Sequence, residues 1–144
     1  MATIVRFEDI QAWILARELT KLVYAASNRG AFAKDFSLKN QMRDASVSIM
    51  SNIAEGFERN GNKEFMQFLS IAKSSCGEVR SELYVASDQN YLTENEYREM
   101  RELALRTSAA LSSLMGYLQE HDFKGSKFTA QNERNANREK PLNH

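Results

Sequence analysis

The sequence has few residues that break helices and few that build covalent or metal sites. Its 144 residues include one proline and six glycines, a composition that favours long helices. The single cysteine, Cys76, excludes an internal disulfide and a cysteine-based zinc site. Two histidines leave little material for a histidine metal centre. We therefore expect no cofactor and no bound metal.

An excess of charge of one sign is also missing. The chain has 19 basic and 19 acidic residues, so its net charge is zero. Domains that hold a phosphate backbone usually carry a basic excess, and the balance argues against that as the main task. No stretch approaches the ~18 apolar residues of a membrane span, and the first residues lack a secretory signal pattern. We expect a cytoplasmic protein with no membrane partner and a reduced Cys76.

The pattern that is present is helical periodicity. It predicts an all-α fold, an up-down-up-down antiparallel four-helix bundle over residues 1–120, with helices at about 8–28, 37–59, 62–90 and 93–121. Apolar residues in the last three helices alternate at spacings of four and three, as in packed bundles. Residues 121–144 are polar and are predicted to be a disordered tail. Phe123 and Phe128 are candidates for tethering its first part.

Local signals mark where the helices begin. Thr93 and Glu96 match a capping box, in which each side chain binds the other residue's backbone N–H. Ser37 is the predicted N-cap of the second helix, and Asn62 that of the third. Residues 29–36 are predicted to be a loop between the first two helices.

The second helix contains an unusual polar stretch, residues 46–56, rich in serine and containing Asn52 and Gly56. Asn52 falls in the apolar seam, where a buried amide without partners costs ~1–3 kcal/mol. We predict a polar network with the third helix that fixes the helix register. The same residues could instead bind a ligand or partner, or form a catalytic site on Asn52, Glu55 and Glu78, although no combination of acid, base and nucleophile is evident. The candidate residues are Gln41, Arg43, Ser48, Asn52, Glu55, Gly56, Ser75 and Glu78.

Four segments carry a family resemblance: 7–13, 41–56, 65–78 and 91–92. The second ends in Ser51-Asn52-Ile53-Ala54-Glu55-Gly56, which is its most specific part. Over residues 7–120 the chain resembles the four-helix-bundle proteins encoded in intervening sequences of 23S ribosomal RNA genes, also labelled S23 ribosomal proteins.

The resemblance implies a compact up-down bundle that assembles into a homopentamer around a central opening. A related bundle is the accessory protein of diversity-generating retroelements, in which a basic pentamer contacts nucleic acid and reverse transcriptase. This chain departs from that pattern, because Asp44 stands where the family often has a second arginine. Met50 similarly stands where the family often has proline.

Our leading hypothesis is a non-enzymatic, homo-oligomeric scaffold or interaction protein, expected to be a pentamer from the resemblance. The candidate oligomer interface consists of apolar residues beside the seams, which are Met66, Phe68, Ile71 and Met115. The alternative is an accessory protein that binds RNA or a ribonucleoprotein. Its candidate contacts are Lys39, Arg43 and Arg59, together with the cations of the tail.

Overall fold

The computed structural model describes residues 4–121, and within that range the chain is helical and contains no strand. A short 3-10 helix, Phe7–Asp9, comes first. The helices that follow are α1 (Gln11–Ser27), α2 (Gly30–Lys34), α3 (Phe36–Phe57), α4 (Asn62–Asp88) and α5 (Glu94–Glu120). The predicted all-α bundle is confirmed. The predicted disordered tail, with Phe123 and Phe128, lies outside the described residues apart from His121.

The four long helices form a square in which each one packs against two neighbours. Helix α1 packs against α3 and α5, and α4 packs against the same two helices. Neighbouring helices run antiparallel: Arg29, just after α1, pairs with Glu96 at the start of α5. At the opposite end, the Asn62 side chain at the start of α4 donates to the Leu118 carbonyl near the end of α5, at 2.6 Å. The connectivity is therefore up-down-up-down.

The core is built from the predicted seams. All seven seam residues of α4 are buried, as are those of α3 except Asn52, which is only partly covered. Burying one large apolar side chain contributes about 1.5–3 kcal/mol, so these rows supply most of the driving force for packing. The seam residues of α4 are Phe65, Leu69, Ala72, Cys76, Val79, Leu83 and Ala86.

The prediction for residues 29–36 was wrong, since they contain the short helix α2. Its Phe32 is buried and stacks on Tyr91, with ring centroids 4.8 Å apart. The N-cap of α3 is Asp35 and not Ser37. Asp35 accepts the Leu38 N–H at 3.1 Å through one oxygen and the Tyr91 hydroxyl at 2.8 Å through the other. This second bond, to a residue far along the chain, favours Asp35 over Ser37 as the cap.

The start of α4 also differs from its prediction, whereas the start of α5 agrees. Gly61 precedes α4 and has a φ of +98°, a backbone conformation that favours glycine. Asn62 does not cap α4, because its side chain donates to carbonyls at the end of α5. The capping box of α5 is confirmed: Thr93 Oγ1 accepts the Glu96 N–H at 3.1 Å, and Glu96 accepts the Thr93 N–H at 2.9 Å.

Candidate interaction grooves beside helix α4

A small polar network joins α3 to α4 near the middle of the bundle. The hydroxyl oxygens of Ser48 and Ser75 are 3.0 Å apart. The Asn52 amide donates to the Ser48 carbonyl at 2.8 Å and to the Ser48 hydroxyl at 3.0 Å. Because Asn52 and Ser48 are only partly buried, the network lies at the edge of the core. One of its contacts, Ser48–Ser75, crosses between the helices and can hold their register, whereas both bonds of Asn52 stay within α3.

Gly56 permits a close approach between α3 and α4. A Cβ built on this glycine would lie 2.7 Å from Phe68 Cβ and 3.0 Å from Phe65 Cδ1. The Phe68 Cβ is fixed to its own helix, so it cannot swing away from an added methyl group. The glycine therefore brings the two backbones together where the α3–α4 hairpin turns.

A groove with acidic walls runs along the outside of the α3–α4 pair, next to the serine network. We call it the acidic groove. It encloses about 310 Å³ and is lined by Gln41, Asp44, Ala45, Ser48, Glu78 and Glu82. It continues towards Asp35 and Val85 through a further depression of about 440 Å³. Among residues 4–121, no cation forms an ion pair with its three carboxylates, Asp44, Glu78 and Glu82.

Glu82 is the most perturbed carboxyl group in this groove. Burial, and to a smaller extent the neighbouring charge of Glu78, raises its pKa to about 7. Its Oε1 atom is buried without a hydrogen-bond partner within the described part of the chain. A buried oxygen of this kind is stabilised when a donor or a cation approaches. The free groove is therefore better suited to a positively charged partner than to water alone.

On the other side of α4, between α4 and α5, lies a groove with the opposite charge. We call it the basic groove. It encloses about 320 Å³ and is lined by Gly77, Arg80, Ser81, Tyr84, Arg101 and Leu105. Within residues 4–121, neither Arg80 nor Arg101 has an ion-pair partner. Val85 lines the continuation of the acidic groove and is 45% exposed, and Ile71, two turns before Glu78 on the same side of α4, is 50% exposed.

The other predicted site residues lie elsewhere or have different partners. Glu55 is exposed and pairs with Arg59 at 2.9 Å, so it does not join the network. Arg43 faces α1: its Nε donates to Ser27 at 2.8 Å, and its guanidinium lies 4.3 Å from the centre of the Tyr24 ring. The structure therefore divides the predicted cluster. Ser48, Asn52 and Ser75 form the network, Gln41, Ser48 and Glu78 line the groove, and Gly56 makes the close contact.

The three predicted RNA contacts do not form one patch. Lys39 donates to the Ala33 carbonyl at 3.1 Å and lies over the Phe36 ring. Arg59 pairs with Glu55 and lies over the Phe68 ring, 5.0 Å from its centre. Sixteen residues of helical rise, roughly 24 Å, separate Arg43 from Arg59. Each of these cations already has partners within the bundle.

The predicted interface residues lie on two different sides of α4. Phe68 contacts Gly56 and Arg59 of the α3 hairpin, and Ile71, one turn later, follows on that side. Met66 is 18 residues, or five full turns, before Tyr84, which contacts Tyr97 of α5. Met66 therefore faces α5. Both Met66 and Met115 are partly buried and pack against the core, whereas Ile71 is half exposed.

The sequence interpretation missed both grooves as units. Asp44 was noted only as a departure from the family, and neither Arg80 nor Arg101 was singled out. A signal did exist: Arg80 lies one turn after Cys76 and Arg101 one residue after Met100, so both flank buried seam residues. These positions identify a groove only once it is known which sides of α4 and α5 face each other.

No metal centre or membrane span is evident in the described part of the chain. Residues 4–121 contain no group of three or more histidine, cysteine, aspartate or glutamate side chains that could hold a metal ion. None of the helices in this range is long and apolar enough to cross a membrane. Burial raises the pKa of the Cys76 thiol to about 11, although Arg80 and Lys73 act in the opposite direction. This cysteine is a packing residue of the core.

These features define an antiparallel four-helix bundle in which Gly56 allows a close contact between α3 and α4, with oppositely charged grooves on the two sides of α4. The chain belongs to the family described as 23S rRNA-intervening sequence protein, which matches residues 8–113. This confirms the family resemblance. A crystal structure of a protein of unknown function from the S23 ribosomal protein family of Bacteroides thetaiotaomicron has a similar fold, with a TM-score of 0.63 and 21% identity. The match covers 72% of this chain and 94% of that one. No curated protein matches the chain.

Proposed function

We propose that this protein is a non-enzymatic, homo-oligomeric scaffold whose copies join head to tail. In this arrangement, the acidic groove of one copy faces the basic groove of the next. The observation that carries the proposal is that two grooves hold opposite charges without an ion-pair partner among residues 4–121. Within that range, Glu82 supplies a buried oxygen without a donor, and Arg80 and Arg101 supply guanidinium groups without a carboxylate partner. Complementary charge steers association and fixes its register.

The position of the grooves favours a closed ring. A head-to-tail interface forms a ring when the rotation between neighbouring copies closes, and a filament when it does not. The acidic and basic grooves lie on adjacent sides of a square bundle, roughly at right angles. Two contact sides at that angle close a ring of about four or five copies. The pentamer implied by the family resemblance lies in this range.

The exposed apolar residues add to the same surface. Val85 lines the continuation of the acidic groove and Ile71 lies on the same side of α4, so both would lose exposed area when that groove is covered. An interface needs such an apolar centre, because rim charges alone contribute little affinity.

Binding to RNA or a ribonucleoprotein is the weaker candidate. The three cations expected to contact RNA have partners within the bundle and lie at opposite ends of α3. The basic groove holds two arginines, Arg80 and Arg101, and the chain has no net positive charge. Such a surface lacks the continuous basic stripe that holds a phosphate backbone.

A charge swap tests the proposed assembly. Glu78→Arg and Arg101→Glu each place like charges opposite one another at every head-to-tail contact, so each variant alone should be monomeric. The double variant restores opposite charges at each contact and should assemble again. Native mass spectrometry of full-length protein, purified without nuclease or high-salt washing, reports the subunit number directly.

The control variant is Glu102→Lys, an exposed charge change on α5 outside both grooves, which should keep the native mass. Circular dichroism should show equal helicity for all variants. Single variants that keep the native assembly would refute the charge-paired interface. A bare monomer of the unmodified protein would refute the scaffold, and extra mass removed by nuclease would favour the RNA-binding alternative.

A further inference from the structure

Helix α4 is shared by the two charged grooves. The acidic groove lies between α3 and α4, and the basic groove lies between α4 and α5. Ser81 of α4 lines both the basic groove and the depression that continues the acidic groove. Helix α1 packs against α3 and α5, so it stands at the opposite corner of the square. The two charged grooves therefore flank one corner of the bundle, and α4 forms that corner.

The outward surface of α4 at this corner carries small polar residues. At about 100° per residue, Ser70 and Ser74 lie within about 20° of Ser81 around the helix axis. All three serines are exposed, and we call them the serine row. The buried seam residue Ala72 is turned by about 180° from Ser81. The serine row therefore points away from the core, between the two grooves.

The shared corner fixes how each copy is oriented in a ring. This orientation rests on the head-to-tail ring proposed above, in which each copy contacts one neighbour through the acidic groove and the other through the basic groove. In a closed ring, the rotation axis lies on the bisector of the directions from one copy to its two neighbours. For two adjacent sides of a square bundle, that bisector passes through the corner that the sides share. The rotation axis is then on the α4 side of every copy.

We propose that α4 is the innermost helix of the assembly, with the serine row facing the rotation axis and the same row of the other copies. If neighbouring helices are about 10 Å apart, a ring of about four or five copies brings the α4 axes of adjacent copies to about 10–12 Å. The α1 axes of adjacent copies are then about 28–30 Å apart. Short side chains suit the inner position, because the distance between packed helices depends on the side chains that separate them.

Helix α1 has a surface that suits the outer position. Its exposed residues include Ile14, Arg17 and Lys21, whose side chains are longer than serine. A ring of cations gathered around one axis would repel itself, whereas on the outer rim the same charges are far apart and solvated. The exposed surfaces of α1 and α4 therefore favour the same orientation as the position of the grooves.

Spin labels placed on the two helices test the proposal. A nitroxide is attached to Ser74→Cys of α4, which lines neither charged groove, and in a separate sample to Lys21→Cys of α1. In the full-length assembly, we expect dipolar broadening of the continuous-wave spectrum for Ser74→Cys and none for Lys21→Cys. Dilution with unlabelled protein should remove the broadening, because the interacting labels belong to different copies. Cys76 is buried, and unmodified protein treated with the same reagent measures its background labelling.

A second position on the serine row guards against a label that disturbs the contact. Ser70→Cys should repeat the result for Ser74→Cys. Loss of the assembly with both serine labels, but not with Lys21→Cys, would place the serine row in a packed contact and support α4 over α1.

Native mass spectrometry of the same samples distinguishes a wrong orientation from the absence of a ring. An intact assembly with broadening at Lys21→Cys and none at the serines, or with equal spectra for both helices, would overturn the orientation alone. A monomer of the unmodified protein would refute the proposed scaffold and the orientation together.

Discussion

Replacing Gly56 with alanine tests the close contact between α3 and α4. The new Cβ would lie 2.7 Å from Phe68 Cβ, 3.0 Å from Phe65 Cδ1 and 3.4 Å from the Phe65 carbonyl oxygen. Carbon atoms in favourable contact are about 3.5–4.0 Å apart, so the helices must separate by about 1 Å at this point. The Phe68 Cβ is fixed to the α4 backbone, and rotation of its side chain cannot remove the clash.

Two opposing effects determine the size of the change. Alanine is favoured over glycine inside a helix by about 1 kcal/mol. Overpacking a well-filled interface costs about 1–3 kcal/mol, and a clash between backbone-anchored atoms falls in the upper half of that range. We expect Gly56→Ala to lower the free energy of unfolding by about 1–2 kcal/mol.

Gly116→Ala in α5 is the matched control, because a Cβ there meets no atom within 4 Å and Gly116 lines neither charged groove. It should gain the propensity term alone and raise the free energy of unfolding by up to about 1 kcal/mol. Urea unfolding at one fixed protein concentration, followed by circular dichroism, measures both variants. Equal stability of Gly56→Ala and Gly116→Ala would refute the argument that Gly56 is required by the close approach of the helices.

Three further predictions follow from the hydrogen bonds and pKa shifts. The raised pKa of Glu82, about 7, means that the folded state holds this proton more tightly than the unfolded chain, so stability falls as pH rises from about 4.5 to 7. Glu82→Gln should therefore stabilise dilute protein at pH 8 by about 1 kcal/mol, a value reduced to allow for solvent screening, and should not stabilise it at pH 4. Thermal unfolding measures both; an equal gain at the two pH values would contradict the prediction. The pKa of Glu96 is shifted in the opposite direction: its hydrogen bond with Arg29 lowers this pKa to about 2. The stabilisation that Glu96 provides to the folded state is therefore lost as pH falls from about 4.5 towards 2. In Glu96→Gln that acid-dependent loss, about 1 kcal/mol for a partly exposed pair, should disappear from acid titrations of stability. Asp35→Ala removes both a helix cap and the acceptor of the Tyr91 hydroxyl and should cost about 2 kcal/mol in urea unfolding, whereas Tyr91→Phe should cost about 1 kcal/mol; equal costs would mean that the cap contributes nothing.

Agreement between sequence and structure depends on the range of the interactions involved. The capping box of α5 was predictable because Thr93 and Glu96 are three residues apart and satisfy each other. The cap of α3 was not, because the choice of Asp35 over Ser37 involves Tyr91, 56 residues further along. Asn62 has the sequence of a cap, but its side chain contacts the end of α5 instead.

The candidate site shows the same division. The Ser48–Ser75 contact joins α3 to α4 as expected, whereas the Asn52 amide donates to Ser48 within its own helix. Arg43 does not join that cluster. Its guanidinium instead contacts the Tyr24 ring and the Ser27 hydroxyl of α1, on the other side of α3. A residue at the flank of a seam has two neighbouring helices available, and only their packed positions decide between them.

The sequence alone determined that this protein is a bundle of long helices, where its apolar seams run, and that Gly56 lies in one of them. Those properties follow from residue type and from spacings of three and four along a single helix, which physical chemistry converts directly into a buried face. Tertiary structure decided which flanks of the helices meet. It thereby placed Asp44, Glu78 and Glu82 in one groove and Arg80 and Arg101 in another. Such arrangements depend on the rotation of each helix about its axis, which is set by contacts between residues far apart in the chain.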